Sequence, residues 1–252
     1  MNGKLVLIGC GPGAIDLMTL RALRRIESAD LVLYDRLVNL ELLTYVKPGA
    51  IYQYVGKRAG DGGRQQTDIN LRIREALEAG ATVARLKSGD PLIFGRAAEE
   101  IDIAEDCGAD IEIVPGITSS LAAASDSLIT VTERAELQSF IVTTGRTASD
   151  QSRPDWVQCV QPGVCVAFYM SVARAWKIQS TLMAAGIPGI LPAIWVERAG
   201  CDDTRMVSTQ LDRLALDAEQ NKIKNPAILL LRYPHSLAGA LKNSVTSSSQ
   251  QA

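Results

Sequence analysis

Five short segments of this 252-residue chain concentrate the residue types that could do chemistry. Tyr34-Asp35-Arg36-Leu37-Val38 follows an apolar run and places a carboxylate where a strand should end. Asp35 there could bind a ribose hydroxyl, accept a proton, or cap a helix. Gly9-Cys10-Gly11-Pro12-Gly13 lets backbone approach a ligand or turn tightly. Its third glycine comes one residue too early for a dinucleotide fingerprint, and Pro12 offers no N–H to a phosphate. Residues 55–64 mix glycines with Lys57, Arg58, Arg64 and Asp61, which suits a loop holding an anionic substrate or a solvated surface loop. Residues 85–100 run from a strand through Gly89-Asp90-Pro91 to exposed Ile93-Phe94, then to Arg96 and a helix that opens with Glu99 and Glu100. Val114-Pro115-Gly116-Ile117-Thr118-Ser119-Ser120 puts small hydroxyl residues after a turn, as a close-fitting nucleoside site or an ordinary helix cap requires.

These segments need strands and helices to hold them. Apolar runs predict strands at 4–9, 31–34, 51–55, 82–87, 111–114, 140–143, 164–170, 193–196 and 227–231. Helical spacing predicts helices at 16–28, 67–78, 97–107, 173–185 and 209–217, the first capped by Asp16. The alternation predicts an α/β protein with sheets covered on both faces. The turn at Pro115-Gly116 divides the strands into an N-terminal α/β domain, 1–116, and a C-terminal α/β domain, 117–242. The polar segment 243–252 is expected to be a disordered tail.

Composition removes several classes of function. Apolar residues make up 47% of the chain and the formal charge is -2, so there is no global basic field for nucleic acid or membrane. The five cysteines form no C-x-x-C pair, and there is a single histidine, His235. A disulfide framework, a zinc site or a histidine-based triad is therefore not expected. The apolar stretch near the N-terminus is too short for a signal peptide, and no apolar run spans a bilayer. A cytoplasmic protein is expected.

In order and spacing the segments resemble the tetrapyrrole methylase family, and within it the members that methylate uroporphyrinogen III. The elements that carry the resemblance are residues 9–13, 34–38, 56–58, 66–70, 85–96, 99–100 and 114–119. A looser match follows through Tyr169-Met170 and Val196-Glu197-Arg198-Ala199. The resemblance implies two α/β domains with the active site in a cleft between them, usually as a homodimer. It implies S-adenosylmethionine (SAM) as co-substrate, S-adenosylhomocysteine as product, and no metal. The implied activity is methylation of uroporphyrinogen III at C2 and C7 to give precorrin-2, for sirohaem, cobalamin or haem d1. The implied SAM contacts are Pro12, Ser88, Gly89, Asp90, Ile93, Thr118, Ser119, Met170 and Ala199. Proton transfer falls on Asp35 and Lys57, with Arg96 as a further catalytic candidate. Arg58, Arg64, Glu99 and Arg134 are the implied substrate-binding residues, and arginine suits an octacarboxylate because it holds carboxylates bidentately.

The chain departs from the family at Ser88, Ala97-Ala98, Glu133 and Arg146, where glycine, Gly-Gly, histidine and histidine are usual. Glu133 is expected to place a negative charge near the polyanionic substrate. A methylase acting on a later precorrin or a protein side chain, a nicotinamide-dependent oxidoreductase and an inactive binding protein are the alternatives. At this length the chain is expected to be monofunctional, without the dehydrogenase and chelatase module that some relatives carry.

Overall fold

The computed structural model describes residues 2–56, 65–146 and 155–241. The chain divides into two compact units. One comprises Met1–Ser119 with Gly200–Asp202, and the other Ser120–Ala199 with Asp203–Ala252.

The first unit is built on β1 (Lys4–Gly9), β2 (Leu31–Tyr34), β3 (Ile51–Tyr54), β4 (Thr82–Lys87) and β5 (Asp110–Val114). They form one parallel sheet in the order β3-β2-β4-β1-β5. Strand alternation sorts its side chains onto two faces. Val6, Ile8, Val32, Ala84 and Leu86 pack with Ala22 and Ile26 of α1 (Leu20–Ser28). Leu5, Leu7, Leu33 and Val83 pack on the opposite face. Their partners are Ile69, Ile73 and Leu77 of α2 (Gln65–Glu78) and Ala97 and Ala104 of α3 (Ala97–Asp106). A parallel sheet buried on both faces explains why these strands read as continuous apolar runs. The parallel order also places the loops after β1, β2, β4 and β5 at one edge.

The second unit is a mixed sheet, order β6-β7-β10-β8-β9. Its strands are β6 (Ser139–Thr144), β7 (Val164–Tyr169), β8 (Pro192–Glu197), β9 (Arg205–Gln210) and β10 (Ala227–Tyr233). Only β6 and β7 pair in parallel. One face buries Phe168 and Trp195 against Ile178 and Leu182 of α6 (Ala175–Ala184), Leu214 of α7 (Leu214–Gln220) and Trp156 of the short α5 (Trp156–Cys159). The other face receives Ala122, Ala123 and Ala124 of α4 (Ser119–Asp126). A helix at residues 235–241 closes the described chain.

The structure corrects three details of the sequence reading. The segment 16–28 is not one helix: Ile15–Leu17 is a 3-10 turn, and Thr19, not Asp16, caps α1 by accepting from Ala22 N at 3.1 Å. The predicted helix 209–217 begins as the end of β9, and its helical part is displaced to Leu211–Arg213 and α7. Strand β9 and helix α5 were not anticipated, and α4 (Ser119–Asp126) only through the helix-cap reading of residues 114–120. The expected disordered tail at 243–252 lies outside the described residues. No described helix is long and apolar enough to cross a membrane.

Carboxylates far from the strand-end loops fasten this scaffold. Glu112 on β5 accepts from Lys4 at 2.6 Å and Arg25 at 2.8 Å, which outweighs its partial burial and holds it below its ordinary value of 4.5. Asp30 is lowered by its hydrogen bonds from Lys47 and from Thr82 N. Asp217 is lowered by its hydrogen bonds from Thr209 and Arg213. Because the folded values lie below the unfolded ones, this stabilisation is complete above the ordinary carboxylate range and disappears as pH falls through the folded values. Thermal unfolding recorded from pH 7 to pH 3 should therefore show Tm falling below about pH 5. Glu112→Gln should make that fall shallower; an unchanged profile would remove Glu112 from the account.

Candidate active site

The active-site candidates of the first unit rest on two cations in a central strand. Strand alternation turns Arg85 and Lys87 of β4 to the same face as Val83, the face covered by α2 and α3. Arg85 is 3% exposed and Lys87 4% exposed. Bare charges are not tolerated at such depth without partners. Glu100, fully buried on α3, lies between them: its Oε1 accepts from Arg85 Nε at 3.0 Å, and its Oε2 is 2.8 Å from Lys87 Nζ. The other end of the Arg85 fork grips Asp35, with Nη2 2.8 and 2.7 Å from its two carboxylate oxygens. Nη1 donates to the carbonyls of Leu33 and Leu86. Burial alone would favour proton loss from Arg85, but Asp35 and Glu100 outweigh it and raise its pKa. Lys87 is pushed the other way, below its ordinary value, by burial and by the charge of Arg85.

A cavity of about 200 Å³ opens above this network, lined by Asp35, Val55, Gln66, Ile69, Arg85, Lys87, Phe94, Gly95 and Arg96. Asp35 and Arg96, singled out from different segments of the sequence, therefore meet at one cavity. Phe94 and Arg96 both adopt the left-handed conformation, each with φ 54°. Such strain in non-glycine residues is held only by surrounding structure and gathers at functional loops. Arg96 also donates to both carboxylate oxygens of Glu99, at 2.6 and 2.7 Å.

Beside the cavity, three strand ends meet backbone to backbone. Gly11 and Gly89 exchange hydrogen bonds of 3.3 and 2.6 Å, which joins the loops after β1 and β4. A Cβ on Gly9 would lie 2.5 Å from Gly116 N and 2.7 Å from Gly116 Cα, so these positions admit no side chain. Asp90 ties the assembly together: one carboxylate oxygen accepts from Leu92 N at 2.9 Å and the other from Gly116 N at 3.1 Å. Gly89 takes φ +71°, and its missing Cβ leaves a hollow bounded by Ser119 Oγ at 3.5 Å and Thr118 Cα at 3.9 Å. Pro12 packs on Gly200 in the adjoining loop, and Ala14 N donates to Gly200 O at 2.8 Å. Ser88 and Ile93 are half-buried in the same loop system. Seven of the implied SAM contacts thus collect at one edge of the first unit, and Asp90 serves there as a main-chain organiser.

In the second unit, Met170 directly follows β7 in a left-handed conformation, φ 51°. Ala199 follows β8 and is buried. Arg134 is exposed in a turn closed by reciprocal hydrogen bonds between Glu133 and Leu137, both 2.8 Å. Glu133, expected to place a negative charge near the substrate, is paired: its Oε2 accepts from Arg232 Nη2 of β10 at 2.9 Å. Lys57, Arg58 and Arg64 lie outside the described residues. Arg85, Lys87 and Glu100 were not recognised as candidates from sequence. The signal was available, since two cations at i and i+2 in an apolar strand must share a face and find a buried acid.

The three-glycine contact yields a direct test. In Gly116→Ala the new methyl would meet Gly89 O and come within 2.8 Å of Gly9 Cα. Overpacking of this kind costs about 1–3 kcal/mol, a Tm loss of several degrees for a chain of this size. Gly239→Ala, with nothing within 4 Å of its Cβ, should leave Tm unchanged or slightly raised. Equal Tm values for the two variants would contradict the packing described.

Comparison with known proteins bears on the family and the fold. A family profile described as Tetrapyrrole (Corrin/Porphyrin) Methylases matches residues 4–215. The chain is 37% identical over 231 residues to the chloroplastic S-adenosyl-L-methionine-dependent uroporphyrinogen III methyltransferase of Arabidopsis thaliana, a match covering 91% of this chain and 63% of that protein. It is 38% identical over 230 residues to a sirohaem synthase of Hahella chejuensis, covering 91% of this chain and 49% of that protein. The chain thus spans about half to two thirds of the length of the curated relatives it matches. Among solved structures it superposes on uroporphyrin-III C-methyltransferase of Thermus thermophilus complexed with S-adenosylhomocysteine, with a TM-score of 0.76 and 33% identity, covering 91% of this chain and 97% of that one. A cobalt precorrin-4 methyltransferase superposes with a TM-score of 0.77 and 29% identity, covering 91% and 95%. Family profile, relatives and fold agree: this chain belongs to the tetrapyrrole methylase family.

Proposed function

We propose that this protein is a SAM-dependent C-methyltransferase that converts uroporphyrinogen III to precorrin-2 by methylation at C2 and C7. The observation that carries this reading is the placement of Asp35, fixed bidentately by buried Arg85 at a cavity it shares with Arg96. The adjoining loops form the kind of cradle SAM requires. Gly9, Gly89 and Gly116 bring bare main chain to one edge, and the hollow at Gly89 faces Thr118 and Ser119. Pro12, Ser88, Asp90 and Ile93 complete that set in the first unit; Met170 and Ala199 remain SAM contacts implied by the family resemblance.

The sulfonium of SAM, when bound, supplies an already activated methyl group. The remaining work of the protein is alignment of a pyrrole carbon, which is catalysis by positioning. Asp35 is the group placed to stabilise positive charge on the attacked pyrrole and to accept the ring proton. Its two oxygens are oriented by Arg85, so the carboxylate cannot rotate away without breaking both contacts. Lys57 belongs to the same proton-handling set. Arg96 cannot act as a base, because a guanidinium stays protonated. Its role is to orient a substrate carboxylate, in competition with Glu99, which now occupies its fork. Arg58, Arg64 and Arg134 supply further cations for the eight carboxylates. A homodimer, the family's usual assembly, and a cytoplasmic setting without nucleic acid or membrane partners belong to the same reading.

The superposition on a precorrin-4 methyltransferase, at a TM-score of 0.77, supports a second reading in which the substrate is a later precorrin. The charge of Glu133 no longer favours it, because Arg232 compensates that carboxylate.

An anaerobic assay with SAM and enzymatically made uroporphyrinogen III decides between them. Two methyl groups added per macrocycle, read by mass after oxidation, are expected; transfer only to a later precorrin would overturn the first reading. Asp35→Asn keeps the shape of the side chain and one acceptor for Arg85. It should lower turnover by about 100-fold or more, as loss of a positioned base does, while S-adenosylhomocysteine still binds. Turnover close to wild type would remove Asp35 from the mechanism.

A further inference from the structure

Asp35 and Arg96 sit on separate loops, yet an unbroken polar path connects them. It runs from Asp35 to Arg85, from Arg85 to Glu100, and from Glu100 to Lys87. Lys87 Nζ then donates to the carbonyl of Gly95 at 2.5 Å, and Gly95 is the residue before Arg96. The turn that receives this bond is strained. Phe94 and Arg96, on either side of Gly95, are both left-handed. Arg96 is also the N-cap position of α3, and its side chain makes no capping hydrogen bond. Gly95 itself is pressed against the carbonyl of Pro91, where a side chain has no room. Lys87 and Glu100 are buried and do not need to touch a substrate to matter.

We propose that Lys87 and Glu100 are positioning residues that act through the Gly95 carbonyl to hold Arg96 at the cavity. The proposal rests on the methyltransferase reading for the role of Arg96, but not for the latch itself. Lys87 is the clamp, because its ammonium is the donor to the strained turn. Glu100 is the anchor, because it fixes that ammonium and is fixed in turn by Arg85. The same acid therefore sets the geometry of Asp35 through Arg85 and that of Arg96 through Lys87. Substrate contacts on two loops are in this way kept in register by one buried carboxylate.

The test uses the full chain and four proteins: wild type, Lys87→Met, Arg96→Ala and the double variant. Glu100→Gln, nearly the same shape without the charge, serves as a milder probe should Lys87→Met fold poorly. Hydrogen exchange read by mass spectrometry should quicken about 10-fold or more in residues 94–98 of Lys87→Met and Glu100→Gln, with β1 and the second unit unaffected. Exchange equal to wild type there would overturn the latch. In the kinetic arm, Lys87→Met should lower kcat/KM for uroporphyrinogen III at least 10-fold in the wild-type background. In the Arg96→Ala background the same change should cost less than about 2-fold, because the residue it positions is gone. S-adenosylhomocysteine affinity should stay within about 2-fold throughout. An equal penalty in both backgrounds, or a parallel loss of S-adenosylhomocysteine binding, would reduce Lys87 to general support of the fold and contradict the proposal. A wild-type protein that transfers no methyl group while its variants still show faster exchange would leave the latch standing and overturn the methyltransferase reading instead.

Discussion

Two cations on the central strand of a parallel sheet cannot stay buried without anions, and the first unit is arranged around that requirement. Arg85 and Lys87 face α2 and α3, where every other inward position on β4 is apolar. Glu100 must therefore be drawn from α3 into the sheet, and Asp35 must end the neighbouring strand with its carboxylate turned inward. Removing one member of such a network leaves a buried charge uncompensated, at a cost of about 3–5 kcal/mol, so the arrangement is held together as a unit. This is also why Asp35 is useful. A carboxylate at a loop tip would sample many orientations, whereas one gripped by a buried arginine presents a fixed edge to the cavity.

A second constraint acts beside the first. The loops after β1, β4 and β5 approach so closely that only glycine fits at positions 9 and 116, and Asp90 fastens two of them together. Main-chain atoms, freed from side chains, are thereby concentrated next to the charged cavity. The two devices serve different chemistries. Bare backbone suits a nucleoside and an amino acid, and the charged network suits an electron-rich ring with many carboxylates. In the second unit the same economy is visible at Glu133, whose charge is matched by Arg232 before any ligand arrives.

Much of this architecture was legible in the sequence. Strands β1, β2 and β4 were readable to the residue, because strands buried on both faces are continuous apolar runs with sharp ends. Asp35 stood out because it is a carboxylate at the end of an apolar run, and Arg96 because it follows a Gly-Asp-Pro turn at the start of a helix. Strand β9 was not legible: it lies at the edge of its sheet, alternates half-exposed with exposed residues, and runs directly into a 3-10 turn. Helix α4 was legible only through its possible cap, because its serines and alanines give no amphipathic contrast, four of them being buried together. Arg85, Lys87 and Glu100 were overlooked for a different reason. Their significance lies in pairing across 13 to 15 residues, which strand periodicity hints at but only the packing of α3 on the sheet reveals. Arg232, nearly a hundred residues from Glu133, had no local signal at all.

The most direct measurement is a crystal structure of the protein with S-adenosylhomocysteine. The account expects the ligand to lie on the main chain at Gly89 and Thr118-Ser119. Asp35 should still be held by both oxygens on Arg85, and Glu100 should still be seated between Arg85 and Lys87. A ligand bound elsewhere, or an Asp35 turned away from Arg85 with the cavity collapsed, would contradict it.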